Sequence, residues 1–568
     1  MDTTFWNELD GKDETFGYDE TKTWDDALDA SFFISSWMNF EGIYSGLTDA
    51  QTTSFKVNGK IFFLTGTEFL YYDGTTVGTV KSIAKVPVVA QGKAPNGTGG
   101  TARDKFNHLS DFWRESFSAD GVATEYQLDI QYLDDGVTPV TLSTNLFKAY
   151  VYGVEKTEGT DFTFNRTTWK ATFGVAPLLG TDKLEIQLEA DALMDETVIT
   201  KCTMAIEYGG KNDSRVMISG NPNYPNTVRF CAVYDPTYWP QDDDFNVGSD
   251  SRSISGWGRM NEYLITYKQP GDETSQWYSE INIDTVGNVS FPTYGLNDEF
   301  GCIAPRTVHP AQNGLIALSD EGVIWTWPSL VKGQANCKVI SRNVNGRNGI
   351  DEGILDNTQA DLSNAHAELY RNKYMLHVGS KTWVLDLDYS DLANNVYCWY
   401  PYTGLYSSAG AFLKRSERLY MSHNANGLLY KSQLAGDDLE HTDDVDAIDA
   451  WWTSPLMFLG GREWIKKFER IAMTFKPTHG TNHTLSLISD IGVEDILLLQ
   501  ASGFFDARYF HAEFLNAGTL NANYPSTQSE KIGYKGEYIQ FRLRNNALNR
   551  GLTLLASSIS YSLRKQVK

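Results

Sequence analysis

The chain has 568 residues, a length that suits three or four domains at roughly 150 residues each, although one β-propeller takes 250 or more of them. Hydrophobic residues make up 41% and aromatics 13%, which excludes a largely disordered chain and, with 48 glycines, favours β structure. The 72 acidic residues against 48 basic ones leave a net charge of −24, which excludes a conventional duplex-gripping protein.

Residues 1–50 form an acidic arm leading into the first strands. Asp2, Glu8, Asp10, Asp13, Glu14, Asp19, Glu20, Asp25, Asp26 and Asp29 face only Lys12 and Lys22 within the first thirty positions, with Phe5, Trp6, Phe16, Tyr18 and Trp24 between them. The segment has no basic stretch followed by an apolar one, so it does not read as a signal peptide. No apolar run of about 18 residues exists to span a membrane. Such an arm is either a solvated acidic segment or one that docks on a neighbouring subunit through its aromatics.

From Asn58 onward a two-strand unit recurs. NGKIFFLTGTEFLYYDG (58–74) is followed by SRVMISG (214–220) with TVRFCAVYD (227–235), and then by GRMNEYLITYK (258–268) with a strand from Ser275. NGLIALSDEGVIWTWP (313–328), RNKYMLHVGSKTWVLDLD (371–388) and SERLYMSHNANGLLYKS (416–432) complete the series. Each unit alternates aromatic and aliphatic residues around a Gly- or Asn-containing reversal, as a hairpin requires. The later units begin near Asn261, Asn313, Asn372 and Glu417, a spacing of about 45 to 60 residues that suits propeller blades with loops. The expectation is an all-β chain: an about six-bladed β-propeller over 51–117 and 201–445, with an inserted β-sandwich and a C-terminal β-sandwich.

The insertion is expected at 118–200, entered through GKAPNGTGGTARDK (92–105), which reads as flexible by composition. Its strands are ATEYQLDI, LFKAYVYG, WKATFG and DKLEIQLEA between Ala123 and Ala190. A module with its own core should be removable without unfolding the rest. After Ser432 an acidic stretch, 433–450, leads to the C-terminal sandwich at 446–568, where YIQFRLRNN (538–546) alternates with period two. Truncation near 445 should impair assembly more than propeller folding.

No motif assembles a reaction centre. The run Gly97–Thr101 lacks the Lys-Ser/Thr of a phosphate-cradling loop. His479 and His483 lie in a turn with no Glu between them, unlike a zinc helix. SDEGVIW (319–325) is one residue short of the Asp-box of sialidase propellers and occurs once, so a hairpin turn is the simpler reading. Cys202, Cys231, Cys302, Cys337 and Cys398 show no CxxC pairing and read as reduced thiols of a protein made in a cytosol. The acidic clusters Asp242, Asp243 and Asp244, Asp437 and Asp438, and Asp443 and Asp444 with Asp446 and Asp449 lack the spacing of a metal or glycosidase site. They read as channel-lining or surface acids. Trp239, Trp257, Trp325 and Trp327 suit blade cores or interfaces, with sugar stacking as the other use. No cofactor, metal or catalytic residue is expected.

The ordering of these parts resembles the tail nozzle and tail hub proteins of short-tailed bacteriophages. The blades VNGKIFFLTGTEFLYYDG and RNKYMLHVGSKTWVLDLD carry the likeness, together with the C-terminal WWTSPLMFLGGREWIKKFERIAMTFK, YIQFRLRNN and SISYSLRK. The insertion is similar to a small β module of phage structural proteins, through DGVATEYQL (120–128) and VYGVEKTEGTDF (151–162). The resemblance implies a non-enzymatic virion protein, made in the host cytoplasm and placed in the tail. It would form a homohexameric ring below portal and adaptor proteins, offer a platform for tail fibres or other tail proteins, and pass double-stranded DNA without binding it specifically. An acid-lined wall repels phosphates and keeps the duplex centred. The alternative is a tail-associated propeller that binds or depolymerises carbohydrate.

Overall fold

The computed structural model describes residues 52–566, apart from 130–137, 211–213, 347–351, 404–406, 414–417, 424–428, 433–441, 444–445, 476–481, 500–525, 547–551 and a few single positions. The acidic arm lies outside the described residues. The fold is all-β, and among the described residues no helix is long and apolar enough to cross a membrane.

Five antiparallel four-stranded meanders follow one another along the chain. They span Thr53–Thr79, Met204–Asn246, Ile254–Asn297, His309–Val339 and His366–Thr403, each in sequential strand order apart from one small side hairpin in the third. A three-stranded sheet, Ser407–Lys431, comes sixth. The first hairpin turns at Asn58 and Gly59, both with positive φ (51° and 78°), the conformation that lets a two-residue turn follow strand twist. Asn261, Asn313 and Asn372 take up positive φ between the first two strands of the third, fourth and fifth sheets. Their recurrence in the sequence therefore marks a repeated turn.

Consecutive sheets share cores. Phe55, Phe62 and Phe69 of the first pack with Val216 and Ile218 of the second. Met217, Val228 and Phe230 then meet Ile254, Trp257 and Leu264 of the third. Ile265 and Tyr267 meet Leu315, Ala317 and Ile324 of the fourth, and Ile316, Leu318 and Trp325 meet Tyr374, Leu376 and Trp383 of the fifth. The second, third and fourth sheets thus each bury both faces against their neighbours, as blades do.

The inserted module is a two-sheet sandwich around Trp113, Phe117, Tyr126, Phe147, Phe164 and Trp169. Its larger sheet has six strands, in the order Val154–Thr157, Lys148–Val151, Gly180–Glu189, Phe112–Ala119, Val88–Lys93 and Gly99–Ala102. The smaller holds Phe162–Asn165, Lys170–Phe173 and Glu125–Gln127. The module therefore reaches back to Val88, well before the expected start at 118. The Gly-rich segment is a closed hairpin rather than a flexible entry: Ala94 N–H donates to Thr98 O, and Gly97 N–H to Ala94 O, both at 2.9 Å. Its glycines supply positive φ, and a Cβ at Gly100 would run into Lys93 and the carbonyl of Gln91. Between two of the module's strands, and again after its last, the chain returns to the blades. Leu109, Val198 and Ile199 belong to the core of the first and second sheets, not to the sandwich.

The chain divides into two compact units, with 411–422 and 428–568 forming the second. In it, Phe468, Ile471, Met473 and Phe475 of the strand Trp464–Phe475 pack against Leu485, Leu487, Ile539, Phe541 and Leu543. Two sheets enclose this core, as a sandwich requires. Inward Ile539, Phe541 and Leu543 alternate with outward Arg542 and Arg544, the period-two pattern of the sequence.

Candidate functional site

The acidic run after Trp239 divides by its backbone. Asp242 and Asp243 sit in the turn before the last strand of the second sheet, each 3.4 Å from Lys105 Nζ. Asp244 opens that strand and accepts from Arg229 Nη1 at 2.7 Å. Burial raises the carboxyl of Asp243 above the usual range, although Lys105 opposes it. These acids are satisfied by cations of neighbouring segments. Asp437, Asp438 and Asp444 lie outside the described residues. Asp443 pairs with Asp446 in a two-residue bridge, and Asp449 takes a two-pronged contact from Arg544 at 2.6 and 2.7 Å.

A second group of acids lines an open recess beside the third sheet. The recess, of about 510 Å³, is lined by Gly248, Ser249, Glu273, Thr274, Trp277 and Asp298. Ser249 Oγ donates within 2.6 Å of both Glu273 oxygens, and Ser251 Oγ reaches one of them at 2.9 Å. Those hydrogen bonds hold the Glu273 carboxyl below its usual range, so it stays ionised. Thr274 Oγ1 donates to Asp298 Oδ1 at 2.6 Å. Buried Lys268 donates to Ser249 O at 2.5 Å. The recess is thus an acceptor-rich rim beside an indole whose N–H is already committed to Thr274 O at 2.8 Å. Two-carboxylate hydrolysis pairs one acid kept protonated near neutrality with one kept ionised, and Glu273 suits only the second of these roles.

The tryptophans flagged by sequence are packing groups. Trp239 is buried with its Nε1 donating to Pro236 O at 2.7 Å. Trp325 stacks on Trp327 at 4.3 Å between centroids, and Lys338 covers both rings. Trp257 lies in the core shared by the second and third sheets. Ser319 and Asp320 close a tight hairpin, Ser319 Oγ donating to Asp320 Oδ1 at 2.8 Å. His483 is a strand residue against Phe475, and His479 lies outside the described residues. All five cysteines are free. Burial pushes the thiols of Cys202, Cys231 and Cys302 up to about 12, which makes them inert near neutrality. Among the described residues no group of three or more His, Cys, Asp and Glu is placed to hold a metal ion.

One constellation escaped the sequence reading. Lys93 Nζ, in the core of the inserted sandwich, contacts Glu115 Oε2 and Asp129 Oδ1, each at 2.6 Å. Its signal was present: Trp113, Glu115, Phe117 and Ala119 are the inward positions of one alternating strand, and the acid falls in apolar phase. A second is the stacked pair His366 and His377, 4.7 Å between ring centroids on adjacent strands of the fifth sheet.

No protein-family model matches the chain, and no curated protein matches it. Among solved structures it is similar to dihydro-heme d1 dehydrogenase NirN (10% identity, 77% of this chain and 76% of that one, TM-score 0.25). It is also similar to an exo-inulinase from Aspergillus awamori (8%, 89% and 98%, TM-score 0.17) and a GH32 beta-fructofuranosidase from Bombyx mori (9%, 64% and 78%, TM-score 0.14). Likeness at these scores carries no argument about chemistry.

Proposed function

We propose that this chain is a structural component of a bacteriophage tail, a nozzle or hub subunit whose copies form a ring below the portal and adaptor proteins. The observation that carries the reading is the module order. Blade-like sheets in succession are interrupted after the first by a sandwich and followed by a second sandwich, the order of the tail proteins that the sequence resembles. The charge of −24 fits a wall that conducts DNA without retaining it. In this reading the chain is not an enzyme, it self-associates as a hexamer, and its working place is the virion.

The recess at Glu273, Trp277 and Asp298 favours a second reading, a propeller that binds or cleaves host polysaccharide. One experiment separates the two. Tail particles are imaged by electron microscopy with an antibody against the chain, and the purified chain is incubated with host capsular polysaccharide. A labelled six-fold ring and no release of reducing sugar support the tail-ring reading. A monomer at the tail periphery, or reducing sugar released by the wild type and lost in Glu273→Gln, overturns it.

A further inference from the structure

The inserted sandwich holds a cluster of three charged groups, two of them inside a core that has no ordinary use for them. Lys93 ends one strand of the larger sheet, and its side chain is 2% exposed. Glu115 lies on the neighbouring strand, its side chain fully buried between the inward Trp113 and Phe117. Asp129 follows the strand Glu125–Gln127 of the smaller sheet. Lys93 Nζ touches a carboxylate oxygen of each acid at 2.6 Å and lies 5.4 Å from the centre of the Phe117 ring. Glu115 Oε1 is buried and makes no hydrogen bond of good geometry among the described residues, the buried Trp113 indole N–H interacting with the carboxyl only loosely.

As a plain ion pair this is costly. Desolvating one ammonium and one carboxylate loses more than their attraction returns unless all lone pairs are satisfied, and Oε1 is not. As a set of reactants it is well formed. A buried amine is held in contact with the Asp129 carboxyl at the edge of the core, beside a second, buried carboxyl that can pass protons between them. Contact enforced by a fold substitutes for very high reagent concentrations.

We propose that Lys93 and Asp129 condense into an intramolecular isopeptide bond, with Glu115 as the proton-transfer group. Glu115 Oε2 takes a proton from the Lys93 ammonium, and the free amine attacks Asp129 Cγ. The Nζ–Cγ bond forms, Glu115 passes to one Asp129 oxygen first the proton it holds and then a second one released by the attacking nitrogen, and that Cγ–O bond breaks to expel water. An ammonium and a carboxylate become one amide and one water, with no change of oxidation state and Glu115 restored. Burial raises the Glu115 carboxyl above its usual range, so it has affinity for the proton it must carry. The Asp129 side chain is 60% exposed, which gives the expelled water an exit. The hairpin presses the two partners together. Gln127 N–H donates to Pro95 O at 2.9 Å, and Gly97 admits no Cβ beside Gln127. The new bond would tie the two sheets of the sandwich together, closing a loop 36 residues apart in sequence.

The test is the intact mass of the full-length protein under denaturing conditions, followed by proteolysis and fragment sequencing. The expected result is a chain lighter than its sequence by one water, with a branched peptide joining the segments around Lys93 and Asp129. Glu115→Gln and Asp129→Ala should each return the full mass. A wild-type chain at its full calculated mass overturns the proposal. So does a missing water that maps elsewhere, for example to a cyclised Asp73–Gly74 pair. The wild-type measurement decides the matter even if either variant fails to fold.

Discussion

The side-chain oxygen of Asn107 accepts the backbone N–H of Trp239 at 3.0 Å, across a sequence separation of 132 residues. The same carboxamide donates to Lys85 O and Thr237 O, both at 2.9 Å, and also accepts from Leu109 N–H at 3.2 Å. Asn107 is fully buried, so this one side chain fastens the return segment of the insertion to the second blade-like sheet. Asn107→Ala leaves two carbonyls and two N–H groups without it. At about 1–3 kcal/mol for each buried group left unsatisfied, a loss of roughly 3 kcal/mol or more is expected. Asn107→Asp keeps the acceptor and removes the donors, so it should also destabilise. Urea unfolding followed by tryptophan fluorescence measures both.

Excising 118–200 should damage more than the module. It removes Val198 and Ile199 from the core shared by the first two sheets and cuts the strand Phe112–Ala119 at its end. The expected outcome is loss of soluble yield or a broad, low-temperature melt. A deletion variant that melts as sharply as the parent would show that the blades do not need these residues.

The stacked histidines predict an acid-sensitive fifth sheet. Burial, and then the neighbouring His377, Arg306 and His309, lowers His366 to about 3, while burial lowers His377 to about 4. The unfolded chain takes up protons at both rings below about 6.5, and the folded chain does not until much lower. Their contribution is therefore complete above about 6.5 and declines as pH falls towards 4 and 3. At pH 5 the loss should be on the order of 1–2 kcal/mol per ring. Glu115 works in the other direction, since a raised carboxyl favours the folded state as pH falls. The diagnostic is thus a difference: urea midpoints at pH 7 and pH 5 should diverge less in His366→Leu than in the wild type.

Gly314 tests blade packing. A Cβ there would meet the carbonyl of Thr326 on the paired strand and the Trp325 indole nitrogen, which donates to Ala311 O at 3.1 Å. Backbone cannot swing aside as a long side chain can. Gly314→Ala should cost about 1–3 kcal/mol, seen as a lower melting temperature with unchanged secondary structure by circular dichroism.

Much of the fold was legible because its signals are local. Strand alternation in YIQFRLRNN and WKATFG, and Asn at the hairpin turns, depend on neighbours within a few residues, and those strands stand where the pattern put them. The insertion boundary was not legible. Val88–Lys93 pairs in parallel with Phe112–Ala119, a relationship set by tertiary contact, and the glycines beside it look the same in a mobile loop and in a tight hairpin. For the acidic runs, Asp244 is answered by Arg229 fifteen positions earlier, and no local pattern announces such a partner. The tryptophans were ambiguous for a similar reason: whether an indole faces core or solvent depends on the next sheet.

The first sheet shares its core with Trp239, and this sets a timetable for synthesis. Phe55, Phe62 and Phe69 leave the ribosome early and can meet one another, but they find Val216, Ile218 and Trp239 only after the whole inserted sandwich and most of the second sheet have been made. Contacts so distant in sequence form slowly, and meanwhile three aromatic side chains are open to wrong partners. A nascent chain of this design gains from a chaperone, or from an inserted module that folds quickly and draws the two distant segments together.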